Sequence, residues 1–204
     1  DASCIYDIPI NFEKANIGKN IIKELNLKPR KTTLLKEWEA KTKKMKKISK
    51  SVDIGIVGKY YKSGKFSLKD SYVSVLEAIN HAGWEIGVNP NIHWIVADDL
   101  EKDKEKQKEI LKMDGIIVPQ GWGSRGAEGK IKAIQIAREN KIPYLGLCYG
   151  MQMAAIEFCR NVVGIKDANS EEIDPKSKNL VIHLMENQKE ILKHQNYGGT
   201  IRLG

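Results

Sequence analysis

The chain has 204 residues, of which 41% are apolar, 29% charged and 7% aromatic, enough hydrophobic material for one good globular core. No run of about eighteen apolar residues occurs, and Asp1-Ala2-Ser3-Cys4 lacks the basic start and apolar stretch of a secretory signal, so the expectation is a cytoplasmic protein with no membrane partner. Its three cysteines (Cys4, Cys148, Cys159), with no C-x-x-C pair, speak against a disulfide scaffold or a zinc site, and its net charge of +8 is concentrated at one end.

Residues 1–50 hold 13 Lys/Arg against 6 Asp/Glu, which leaves 21 against 20 for the rest. A domain so nearly neutral lacks the phosphate-binding footprint of a duplex binder, and no nucleic-acid partner is expected. The densest run, Lys41-Thr42-Lys43-Lys44-Met45-Lys46-Lys47, could be an import signal or an RNA patch. Leu34, Leu35, Trp38, Met45 and Ile48 recur beside it near helical spacing, which favours the solvated face of a connector.

In chain order, Ile5-Tyr6-Asp7-Ile8-Pro9-Ile10 is expected as a short extended piece, followed by helices around 12–26 and 32–48 that close no core alone. From Ser51 the pattern changes. Val52-Asp53-Ile54-Gly55-Ile56-Val57 reads as a buried strand, and Asp70 as the cap of a helix reaching about His81. A strand near 92–96, a charged helix over roughly 100–113, a strand at 115–118, a helix over 128–140 and a strand at 143–147 follow. The next helix covers 151–163, and 167–204 is loop-rich. Strand and helix alternating at these lengths predict an α/β fold: a doubly wound, mostly parallel sheet with helices on both faces, preceded by a helical linker. Chemistry in such sheets sits at the carboxyl ends of strands, here after Val118 and after Leu147.

Two phosphate-binding patterns fail on inspection. Five residues separate Gly58 from Gly64 where a P-loop needs four, and Phe66 stands where a magnesium-binding Ser or Thr belongs. Gly121-Trp122-Gly123-Ser124-Arg125-Gly126 is a literal G-x-G-x-x-G, yet the next strand ends in Leu147-Cys148 instead of the acidic residue a dinucleotide ribose requires. Its other reading is a tight turn presenting backbone N–H groups.

Gly146-Leu147-Cys148-Tyr149-Gly150 places a cysteine on the sharp turn from strand to helix, the nucleophile-elbow arrangement with Cys in place of Ser. The helix N-terminus favours a thiolate there, and the Tyr149 N–H can face a developing oxyanion. A lone cysteine is more often a small core residue, and Cys159 beside Phe158 is read that way. The flanking glycines, the strand end and the second turn at Gln120-Gly121 favour a nucleophile at Cys148, with acyl transfer through a thioester and the first turn supplying the other oxyanion donor. The general base stays unassigned. His81 ends a helix and His93 begins a strand, while His183 and His194 follow the elbow by 35 and 46 residues with no carboxylate two residues further on.

These residues resemble the glutaminase (class I glutamine amidotransferase) domain of the CTP synthase family. The resemblance runs through Ile5-Tyr6, Val57-Gly58-Lys59-Tyr60, Val118-Pro119-Gln120-Gly121-Trp122-Gly123-Ser124-Arg125-Gly126, Glu128-Gly129-Lys130, Gly146 to Gln152, Glu157-Phe158 and Arg160-Asn161-Val162. Asp167-Ala168-Asn169-Ser170, Asp174-Pro175 and the terminal Gly198-Gly199-Thr200-Ile201-Arg202-Leu203-Gly204 narrow it from amidotransferases in general to this family. It implies a flavodoxin-like glutaminase fold over 51–204, with 1–50 as the end of a synthetase domain and a basic interdomain linker. It also implies an enzyme that uses ammonia from L-glutamine, with ATP and magnesium in the synthetase domain, to aminate UTP at O4. A homotetramer and GTP as activator come with it, and no cofactor or metal on this stretch itself. By resemblance Cys148 is the nucleophile; Gly121, Tyr149, Gly150, Met151 and Gln152 line the glutamine pocket; Gly121 and Tyr149 give the oxyanion donors; Glu172 holds the substrate ammonium; and Arg125, Gly126 and Glu128 belong to a GTP-responsive lid.

The sequence departs from the family pattern at Gln120, where a glycine is usual, and at Tyr149, where leucine is usual. The Gln120 substitution is expected to make the oxyanion turn less permissive. The family's His-x-Glu pair and its glutamine-carboxylate Arg lie beyond Gly204, so the 204-residue piece alone is expected not to turn over glutamine. The rival reading is a degenerate glutaminase-like module that binds or regulates without catalysis. A flavodoxin-like nucleotide-binding domain would rest on the doubly wound pattern alone.

Overall fold

The computed structural model describes residues 4–30, 33–59, 62–63, 66–67 and 69–185. The chain divides into two compact units, Asp1–Lys50 with Asn80–Asn89, and Ser51–Ile79 with Pro90–Gly204.

In the first unit a 3-10 turn, Ile5–Asp7, leads into helix α1 (Ile8–Lys14), followed by α2 (Ile17–Glu24) and α3 (Leu34–Met45). The extended piece expected over 5–10 is therefore helical. Pro9 does not oppose this, because it sits in the first turn of α1, where its missing N–H would have no partner in any case. The single helix expected over 12–26 breaks at Asn16, which adopts a left-handed backbone with φ of 57°. Tyr6 gives this unit its centre: its ring packs against Trp38 and Trp84 at 6.0 and 5.2 Å, its hydroxyl meets His81 Nε2 at 2.7 Å, and its carbonyl accepts from Trp38 Nε1 at 2.7 Å. His81 and Trp84 come from helix α4 (Val73–Ile86), so this unit's aromatic core is completed by residues well outside the first fifty.

The second unit is built on a four-stranded sheet. Its strands are β1 (Ser51–Gly58), β4 (Asn89–Val96), β5 (Gly115–Val118) and β6 (Tyr144–Gly146), in the order β4-β1-β5-β6; the short β2 (Lys62–Ser63) and β3 (Phe66–Ser67) pair separately. β5 runs parallel to both neighbours, with Ile117 opposite Ile56 on β1 and Val118 opposite Gly146 on β6. Successive strand residues alternate between two cores, which explains the continuous apolar runs. Val57, Ile95 and Ile116 join one core; Ile56, Trp94 and Ile117 join a second, with Tyr72 and Val75. Both faces are therefore covered, as the sequence predicts.

Helix α7 (Ala127–Glu139) and helix α8 (Tyr149–Phe158) cover the first face, through Ile131 and Ile134, and through Met153 and Ile156. Each such fully buried aliphatic side chain contributes about 2 kcal/mol. Buried Glu157 on α8 accepts three hydrogen bonds of 2.8 to 3.1 Å from the Arg138 guanidinium on α7 and one of 3.1 Å from Asn161. The charged helix expected over 100–113 is instead two pieces, α5 (Ala97–Leu100) and α6 (Lys104–Ile110). Asp103 separates them, because its carboxylate accepts from the Glu105 and Lys106 N–H groups and starts a new helix. α8 ends in one π-type turn, Cys159–Val163, and the loop-rich tail contains a small parallel pair, β7 (Ala168–Ser170) and β8 (Asn179–Ile182). Among the described residues no helix is long and apolar enough to cross a membrane.

Candidate active site

The strand order turns back between β1 and β5, so the crevice outside their carboxyl ends is where an α/β sheet receives a ligand. Lys59 follows β1, the turn 119–123 follows β5, and Cys148 follows β6.

Cys148 is exposed, with φ of 53° and ψ of −105°, a conformation that side-chain-bearing residues rarely adopt. The neighbouring glycines show how it is held there. Leu147 N–H donates to the Val118 carbonyl at 3.0 Å, tying the elbow to the end of β5. At Gly150 any Cβ would overlap that same Val118 carbonyl, and at Gly146 one would come within 2.5 Å of the Tyr144 hydroxyl. Tyr144 in turn donates to the Gly150 carbonyl at 2.7 Å, and its burial raises the phenol pKa, keeping it a donor. Only glycines fit both ends of a turn this close, and the cysteine between them is forced outward. Cys159 is partly buried and lies off this turn, in keeping with its reading as a packing residue.

The turn after β5 approaches the elbow through Gly121. A Cβ there would meet Lys130 Nζ at 3.1 Å, Lys59 Cε at 3.3 Å and the Tyr149 ring at 3.5 Å, so Gly121 lies beside the Tyr149 side chain and two lysines. Gln120 does not take a positive φ, so its backbone does not itself call for glycine. The left-handed position of the turn is Gly123, at φ of 65°. The buried Tyr149 side chain binds the turn from below, its hydroxyl donating to the Gly123 carbonyl at 2.5 Å.

Of the other candidates, Glu172 joins the site: its Oε1 accepts from Gly123 N–H at 2.6 Å. Gln152, one turn into α8, has a buried Oε1 with no hydrogen-bond partner among the described groups, an acceptor left for an incoming N–H. Gly150 is buried, whereas Met151 is 60% exposed. Arg125 donates to the Lys59 carbonyl at 2.9 Å and lies 3.8 Å from Asp98; Gly126, left-handed, precedes the first turn of α7. Glu128 is separated from Arg125 in its bonding, since it pairs with Arg160 at 2.8 and 3.0 Å. His183 is exposed and its Nδ1 lies 4.0 Å from Glu171, a carboxylate from another segment that spacing along the chain does not reveal. His194, Tyr60 and the terminal run 198–204 lie outside the described residues.

Sequence reasoning gave no role to two lysines at this site. Lys59 Nζ donates to the Arg125 carbonyl at 3.2 Å and stands 5.3 Å from the Tyr149 ring centre. Lys130 is fully buried, donates to the Pro119 carbonyl at 3.0 Å and stands 5.1 Å from the same ring. Burial, then repulsion from Lys59, push its pKa down to about 7, and negative charge at Cys148 works against that fall. The signal for Lys130 was present: it sits on the same helical stripe as Ala127, Ile131, Ile134 and Ala137, where a charge has to face inward. No group of three or more His, Cys, Asp or Glu side chains gathers among the described residues to hold a metal ion, and the steps assigned below use the chain's own groups.

An exposed cysteine on a glycine-bounded turn from strand to helix is the arrangement in which acyl-transfer enzymes present a nucleophile. Residues 67–199 match the family Glutamine amidotransferase class-I, and the chain belongs to that family. It is similar over its whole length to the CTP synthases of Sulfolobus acidocaldarius (46% identical) and Carboxydothermus hydrogenoformans (49% identical), of which it spans 37% and 36%. Among solved structures it is similar to the Trypanosoma brucei CTPS glutaminase domain with bound acivicin. That likeness has a TM-score of 0.62 and 42% identity, and covers 67% of this chain and 51% of the other.

Proposed function

We propose that this chain is the glutamine-hydrolysing part of a CTP-forming enzyme. The observation that carries the reading is the placement of Cys148: strained, exposed and held between two sterically required glycines, with the unsatisfied Gln152 Oε1 one helical turn away. The Cys148 sulfur adds to the carboxamide carbon of L-glutamine, and the carbonyl oxygen becomes an oxyanion facing the N–H groups of Gly121 and Tyr149. Collapse expels the nitrogen, which takes a proton and leaves as ammonia. Water then cleaves the thioester to glutamate and restores the thiol. The family resemblance gives the proton transfer to a His-x-Glu pair, a pattern that the sequence from Cys148 to Gly204 does not contain.

Gly150, Met151 and Gln152 line the glutamine pocket, and Glu172 pairs the substrate ammonium. Arg125, Gly126 and Glu128 form a lid that answers to GTP. Residues 1–50 are the end of a synthetase domain and its linker, 51–204 the amidotransferase domain, and the ammonia is consumed in the ATP- and magnesium-dependent amination of UTP within a homotetramer. Similarity to CTP synthases along the whole chain supports these assignments.

The test supplies UTP, ATP, magnesium and glutamine to the protein at the full length its coding sequence specifies. CTP and glutamate should form in near-equal amounts, and more of both with GTP present. Glutamine binding with neither product would favour a module that binds without catalysis.

A further inference from the structure

Lys130 is the one fully buried ammonium group among the described residues that the proposed chemistry leaves without a task. Its position is specific. Val118, the last residue of β5, uses its carbonyl to accept from Leu147, but Pro119 lies beyond the ladder, and its buried carbonyl takes its hydrogen bond from Lys130 Nζ at 3.0 Å. The same Nζ lies where a Gly121 side chain would begin, and 5.1 Å from the ring of Tyr149, the residue after the nucleophile. One group thus touches both turns that carry the candidate oxyanion donors. The titratable groups facing it are Lys59 from the end of β1 and Cys148 at the elbow.

We propose that Lys130 is a positioning residue for the acyl-transfer site: by holding the Pro119 carbonyl it fixes the peptide run that aims Gly121 N–H toward the elbow, and it braces Tyr149 from beneath. The proposal rests on the reading of Cys148 given above. Its physical basis is that an oxyanion donor stabilises only when aimed in advance at the place where charge develops, and a turn with an unbonded buried carbonyl at its foot is free to rotate its peptides. Burial pushes the Lys130 pKa down to about 7 and Cys148 works against that fall, and the amine keeps an N–H for the Pro119 carbonyl in either protonation state.

Lys130→Met keeps the volume and removes the donor. In the protein at its full coded length, glutamine hydrolysis by this variant should show a kcat lowered about 10- to 100-fold, with KM changed less than about threefold. The midpoint of unfolding should change little, because relief of a buried amine offsets the cost of leaving the Pro119 carbonyl unbonded. Lys130→Gln, whose amide still donates, should recover part of the loss. Wild-type kcat in a folded Met variant overturns the proposal, and if that variant fails to fold, wild-type kcat in a folded Lys130→Leu variant, which also lacks the donor, does the same. A wild-type rate that survives Cys148→Ala would instead overturn the nucleophile assignment on which it rests.

Discussion

Replacing Cys148 by alanine should lower glutamine hydrolysis by at least about a thousandfold while leaving ammonia-driven CTP formation within about twofold of wild type. The first effect is large because the covalent path disappears: no other described thiol sits on the elbow, and the remaining oxyanion donors face an amide that nothing attacks. The second follows from the position of the residue. Cys148 is exposed on a turn whose shape is set by Gly146, Gly150 and the Leu147 bond to Val118, so removing its sulfur withdraws no packing from the core. Relief of an unusual φ is not expected either, since alanine carries the same Cβ. Glutamine hydrolysis and ammonia-driven synthesis, measured side by side on one preparation, check this. Loss of both would point to misfolding, and loss of neither would remove Cys148 from the mechanism.

Gly150→Ala should be strongly damaging to the second unit's fold, costing about 3 kcal/mol or more of unfolding free energy. The added methyl would overlap the Val118 carbonyl, which is backbone at the end of a buried strand and cannot swing aside as a side chain would. Helix α8 must then lift off β5, and with it go the buried contacts of Met153 and Ile156. Because α8 begins at the elbow, even a folded variant should lose about a hundredfold in glutaminase rate from a displacement on the order of 1 Å. Gly115→Ala is the control: a Cβ there meets its nearest neighbour at 3.5 Å, an ordinary contact, and should cost under about 1.5 kcal/mol. Urea unfolding of the two variants compares them directly.

Much of this site was legible because glycines mark it. Gly146 and Gly150 flank the cysteine for steric reasons that leave the same trace in sequence as in space, and the alternation of apolar runs with helical stripes announces a sheet covered on both faces. What escaped reading depends on contacts distant in the chain. Tyr6 lies on a short helical segment within an aromatic cluster that includes Trp38, His81 and Trp84, and Pro9 next to it hid the helix by suggesting extension. Asp103 could have been recognised as a cap, yet the charged run around it masked the break. Gln120 looked like an obstacle because a glycine is usual there; the left-handed position of the turn is Gly123 instead. Lys130 shows the limit most clearly, since the helical stripe places it inward but only the fold supplies the Pro119 carbonyl that receives it.

The most direct test of the central claim treats the protein with a chloroketone analogue of glutamine and maps the modified peptide by mass. The account predicts one adduct, on Cys148, whose formation L-glutamine suppresses, with Cys4 and Cys159 unmodified. An adduct on either of those cysteines in place of Cys148, or labelling of Cys148 that glutamine does not slow, would contradict it.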